Sequence, residues 1–172
     1  MILLAQIIGV IAVIISLLSY QQKKRKNIIV WNATARILFV LQYILLGAFE
    51  GVALDILGTV SLIAAQKKDS KIIKKNLIFV IIGINLLILT AGLFLYENIF
   101  SLFPIVGVIL HTSALWITKE KIIRRVSFIG SPFWLVYNLA RLAYGSAIGD
   151  MLSMISIGTA IYRYDIRGKA NS

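Results

Sequence analysis

Four ionisable residues, Arg36, Asp55, Arg141 and Asp150, sit inside long apolar stretches of this 172-residue chain. A charge in hydrocarbon costs about 2.5 kcal/mol or more at the centre of a bilayer, so a charge kept there marks a ligand contact or an ion pair. Arg36 either faces a hydrated cavity, where it binds an anionic group or a carboxylate partner, or snorkels to the interface beside Asn32. Asp55 and Asp150 each lie about one turn inside an apolar segment. As paired carboxylates they would bind a cation or proton, or anchor polyol hydroxyls; as N-caps or first-turn acids they would favour the positive end of a helix dipole. Arg141 precedes Asp150 by nine residues across a hairpin, and that spacing predicts an Arg141 to Asp150 ion pair as a clasp at the outer rim.

Trp134, Tyr137, Asn138 and Arg141 follow one another at helical spacings and share one stripe. Trp134 and Asn138 offer an aromatic face plus an amide, a surface suited to a sugar-like or amino-acid-like solute. The plainer alternative is an aromatic belt with an interhelical amide bond. Gln42 and Tyr43 stand at matching depth in an earlier segment and favour a shared cavity. His111, with Thr112 and Ser113 beside it, reads either as a proton relay or as a histidine bonded to a neighbouring helix. Gly58, Ser61, Ala64 and Ala65, with Ser153, Ser156 and Thr159, are small enough for close helix packing, and Pro104 is placed to kink its helix. The chain has no cysteine and lacks a Ser-His-Asp arrangement, an HExxH motif and a phosphate-cradling glycine loop. No catalytic set, metal site or cofactor is read from it, and an enzyme is not expected.

The elements that position these residues follow from composition. Hydrophobic residues make up 59% and charged residues 15%, against about 45–50% and about 25% in soluble domains. An all-α polytopic membrane protein is expected. A span needs roughly 20 apolar residues, and cutting at charges and turns gives seven, at about 1–20, 29–47, 51–66, 76–96, 100–117, 124–144 and 147–162. Tight glycine-bearing hairpins are predicted around Gly47 to Gly51 and Tyr144 to Gly149. Net charge is +11, and its placement is regular. Lys23, Lys24, Arg25 and Lys26 follow span one; Lys67, Lys68, Lys71, Lys74 and Lys75 follow span three; Lys119, Lys121, Arg124 and Arg125 follow span five; Arg163, Arg167 and Lys169 lie in the tail. With seven spans all sixteen fall on one side, while the opposite short loops hold only Glu50 and Glu97. Basic loops stay cytoplasmic, which puts the N-terminus outside and the C-terminus inside. Because each basic run abuts an apolar span, anionic lipid head groups are the expected partner and nucleic acid is not.

Offset by 95 positions, the chain pairs Lys24 with Lys119, Lys26 with Lys121, and Asp55, Leu57, Ser61 and Ala65 with Asp150, Leu152, Ser156 and Ala160. The repeat predicts two parallel three-helix units joined by a linker helix, a 3+1+3 plan divided as 1–66, 67–99 and 100–172, as in SWEET-type carriers. Ile8-Gly9-Val10-Ile11-Ala12 followed by Ser19-Tyr20-Gln21-Gln22-Lys23-Lys24 is similar to the opening span of the SWEET and PQ-loop superfamily, with Gln21 in place of the usual proline. That departure removes the hinge proline from the first span. Gly9-Val10-Ile11-Ala12, Leu46-Gly47-Ala48, Trp134-Leu135-Val136-Tyr137-Asn138 and Gly145-Ser146 resemble the YgjV-type bacterial inner-membrane protein family over nearly the whole chain. The resemblance implies a bacterial inner-membrane location. The SWEET likeness implies a small polar solute passing between the two halves by alternating access; a homo-oligomer is compatible with it. The competing expectation is a non-transporting scaffold, or a lipid- or partner-binding protein, whose polar residues only hold helices together.

Overall fold

In hydrocarbon each backbone N–H and C=O must be satisfied within the protein, which drives apolar runs into helices. The computed structural model describes residues 1–20, 25–117 and 119–167, and every regular element among them is helical. In order they are α1 (Ile2–Tyr20), α2 (Arg25–Leu46), α3 (Phe49–Gln66), α4 (Lys71–Lys75), α5 (Leu77–Phe94), α6 (Leu102–Trp116), α7 (Glu120–Ala140) and α8 (Tyr144–Ala160). A 3-10 turn, Ile99–Ser101, leads into α6, and a wider π-helical segment, Ile161–Arg167, continues α8. Gln21, Gln22, Lys23, Lys24 and Lys169 lie outside the described residues.

Among the described residues, Phe49–Gln66, Leu77–Phe94 and Ile99–Trp116 are long and apolar enough to cross a membrane, and Ile2–Leu18 and Ala33–Leu46 are shorter apolar segments. α2 and α7 begin about four residues before the apolar runs do, because a helix once nucleated extends through polar residues that favour it. The basic run after α3, expected as loop, contains the short helix α4. α5 buries only Ile88 and Gly92 and turns Ile78, Phe79 and Phe94 outward. A helix this apolar all round suits a lipid environment rather than water.

α1 packs on α2, α2 on α3, α6 on α7 and α7 on α8; α1 also meets α8, α3 meets α6, and α5 covers α3 and α6. The core is centred on Tyr43, Leu54, Ile88, Val108, Trp134 and Tyr137. At the α1–α8 crossing a Cβ on Gly145 would stand 2.6 Å from the Gly9 backbone, so only glycine admits this approach.

The two corners are built alike. Gly47 closes α2 at φ 70° and Leu142 closes α7 at φ 56°. In each, the next amide reaches back to the helix, Ala48 N–H to the Tyr43 carbonyl at 2.9 Å and Ala143 N–H to the Asn138 carbonyl at 2.8 Å. Gly47 and Leu142 themselves donate to Ile44 and Leu139, completing a Schellman closure in both places. The second corner therefore falls at Arg141–Ala143, ahead of the expected Tyr144 to Gly149, with leucine in the left-handed position that glycine was expected to fill. Pro104 is the third residue of α6, where its missing N–H costs no helical bond. The proline inside a helix is instead Pro132 in α7.

Candidate functional site

A cavity of about 480 Å³ lies between α1, α2 and α3 on one side and α6, α7 and α8 on the other. Arg36, Tyr43, Asp55, Trp134, Asn138 and Asp150 all line it. Gln42 does not, but it accepts a 2.6 Å bond from Ser146, which does. On α7 the lining runs from Asn138 to Ser127, about 16 Å at the rise of an α-helix. Toward the corners it goes no further than Tyr43, Asn138 and Ser146; toward the basic end it reaches Leu17, Leu115 and Ile157. Ser153 and Ser156 are exposed and line the cavity, so their small size opens space rather than packing a neighbour; Thr159, also exposed, bonds its own helix. Gly58, Ser61 and Ala65 of α3 are buried, as close packing requires.

Arg36 donates from Nη1 to Asp55 Oδ1 at 2.7 Å and reaches Thr59 Oγ1 at 3.4 Å. It thus has a carboxylate partner on α3. Asp150 takes a 2.7 Å bond from Asn138 Nδ2, and Asn138 Oδ1 accepts from the Tyr43 hydroxyl at 2.9 Å. Neither aspartate caps a helix: α3 starts at Phe49 and α8 at Tyr144, six residues ahead of each. Trp134 stacks on Tyr43 with centroids 6.4 Å apart, so its ring supports the wall. His111 places Nε2 3.0 Å from the Ser127 carbonyl on α7, a bond to the neighbouring helix at the cavity wall.

At the corner end the two sides are bound together. Gly51 N–H donates to the Tyr137 hydroxyl at 2.9 Å. Arg141 pairs with Glu50 and, at 2.6 Å, with Glu97. Glu50 is fully buried and also accepts from the Ser101 hydroxyl at 3.1 Å. The expected Arg141 to Asp150 pair is replaced by this cluster for a geometric reason. Arg141 is the C-cap of α7, level with the start of α8, whereas Asp150 is about 9 Å further down that helix. Glu50 in the first turn of α3 and Glu97 before α6 stand at the level of Arg141. Sequence reading passed over Glu50, Glu97 and Ser101 as site residues, although a signal was present: both acids occupy the short connections that lack basic residues.

Helices with outward apolar faces, and charged and amide side chains gathered between them, are the architecture of an integral membrane protein. The family model described as bacterial inner membrane protein, Imp-YgjV, matches residues 3–167, and the chain belongs to that family. No curated protein and no solved structure matches it.

Proposed function

We propose that the chain is a seven-span inner-membrane carrier that moves a small polar solute by alternating access between two parallel three-helix units, residues 1–66 and 100–172, joined by a linker, 67–99. The observation that carries this reading is the cavity between the units, in which Arg36, Asp55, Asn138 and Asp150 stand among apolar side chains and whose lining extends toward the basic end. An internal repeat is supported by contacts that exchange across it. Gln42 bonds Ser146 while Tyr137 bonds Gly51, and an offset of 95 turns one contact into the other. Tyr43 and Asn138, themselves 95 apart, bond each other. Such reciprocity is what a twofold relation between units produces. The matching corners and the paired contacts of α1 with α8 and α6 with α3 support the same relation.

In this reading the basic loops face the cytoplasm and meet anionic head groups, and the N-terminus is outside. Arg36, Tyr43, Asp55, Trp134, Asn138 and Asp150 line the passage, with Gln42 bracing it through Ser146, and Arg141 with Glu50 and Glu97 forms its outer closure. No catalysis is assigned. Counterflow into proteoliposomes over a panel of sugars, amino acids, amines and organic acids tests this. Exchange of one class, lost on Asn138→Ala with the fold retained, is expected; no exchange of any class would contradict it. A scaffold is the second reading, favoured by the interhelical bonds that Gln42, Tyr43 and Asn138 already make. It expects no exchange and a loss of stability alone on Asn138→Ala.

A further inference from the structure

We propose that this cavity selects a cationic solute, an organic amine whose ammonium group seats on Asp150. The proposal deepens the carrier reading by naming its substrate class. Arg36 and Asp55 cancel each other at 2.7 Å. Asp150 has no cationic partner among the described residues; its partner is the neutral amide of Asn138. The surrounding elements do not supply one. α1, which packs against α8, is free of charge along its length. Arg141 of α7 is committed to Glu50 and Glu97; Lys121, Arg124 and Arg125 lie at the other end of α7, and Arg163 and Arg167 beyond the end of α8, about 20 Å or more along their helices from the level of Asn138 and Asp150. A carboxyl in a low-dielectric wall without a counter-charge takes up a proton or a cation, and an ammonium group supplies the charge together with N–H donors.

The geometry around it suits an ammonium. Ser146 and Ser153 stand four residues before and three after Asp150, on the same face of α8, and all three line the cavity. Their oxygens would accept the N–H donors that a single carboxylate leaves over. The volume of about 480 Å³ far exceeds the roughly 30 Å³ share of one water, so the cavity has room for an organic body as well as a charge. Val13, Phe39 and Val108 line it with apolar surface for that body.

Thermal shift and calorimetry on the protein in lipid nanodiscs test this with ethanolamine, putrescine and tyramine, each set against its alcohol: ethylene glycol, 1,4-butanediol and tyrosol. At least one amine is expected to bind and its alcohol to bind about thirtyfold more weakly or not at all. Asp150→Asn should remove the preference, Asp150→Glu should keep it in part, and Asp69→Asn, on the exposed turn before α4, should leave it unchanged. Equal binding of an amine and its alcohol, binding of none of the three amines, or displacement of the amine by sodium or potassium chloride but not by choline chloride at equal ionic strength would overturn the proposal. The wild-type comparison decides the matter even if Asp150→Asn fails to fold. Amine binding without counterflow would refute transport and keep the site; counterflow of neutral solutes without amine binding would do the reverse.

Discussion

The proposed repeat pairs Asp55 with Asp150, 95 residues on, yet their surroundings differ. Asp55 faces a guanidinium on the preceding helix. The position corresponding to Arg36 is Ser131, whose hydroxyl is turned back onto the Ser127 carbonyl at 2.9 Å, so Asp150 keeps only the Asn138 amide. The corner end is equally one-sided. Arg141 and Glu50 hold it, while their counterparts, Leu46 and Gly145, carry no charge. In the proposed arrangement the first unit thus holds a matched charge and the second an unmatched one.

The largest effect is expected from breaking the matched side. Arg36→Met leaves Asp55 without its counter-ion and should cost about 3 kcal/mol in unfolding from detergent micelles, with most of it recovered in Arg36→Met combined with Asp55→Leu. Next comes the closure. Glu50→Gln weakens a charge-assisted bond and should cost about 2 kcal/mol, and it should also admit an impermeant thiol reagent to a cavity cysteine from the corner side. A smaller effect separates the two corners. Leu142→Gly removes a left-handed leucine and should stabilise by about 1 kcal/mol, whereas Gly47→Ala should destabilise by a similar amount. The smallest concerns the tail. Arg124 donates to both carboxylate oxygens of Asp165 and holds that carboxyl below its ordinary value. A carboxyl more acidic in the folded state stabilises above its unfolded pKa of about 3.9 and loses that contribution as pH falls through the folded value. The midpoint difference between wild type and Asp165→Asn should therefore be full at neutral pH and close in strong acid.

Much of this was legible in the sequence because lipid imposes simple constraints. Apolar runs had to be helices, and six of the seven residues proposed for a cavity line it. Arg36 and Arg141, which lie outside the basic runs, are both ion-paired. What escaped was partner choice. Arg141 was assigned to Asp150 by nearness in sequence, while the partners at its level, Glu50 and Glu97, come from distant segments. Leu142 escaped because a left-handed leucine leaves no compositional mark, whereas the glycines that follow do and pointed to Tyr144 to Gly149. α2 and α7 start ahead of their apolar runs, since hydropathy marks where lipid contact begins, not where backbone bonding does.

The chain is cysteine-free, so a single Ser153→Cys can be labelled without background. Ser153 lines the cavity well away from the corner-end closure. A membrane-impermeant thiol reagent applied to each face of oriented vesicles tests most directly whether the cavity is a water-filled passage open toward the basic loops. Rapid labelling from the basic-loop face, and much slower labelling from the other face unless Glu50→Gln is present, is the expected result. Absence of labelling from either face, while an Asp69→Cys control labels fully, would contradict it and leave the polar residues as interhelical bonds alone.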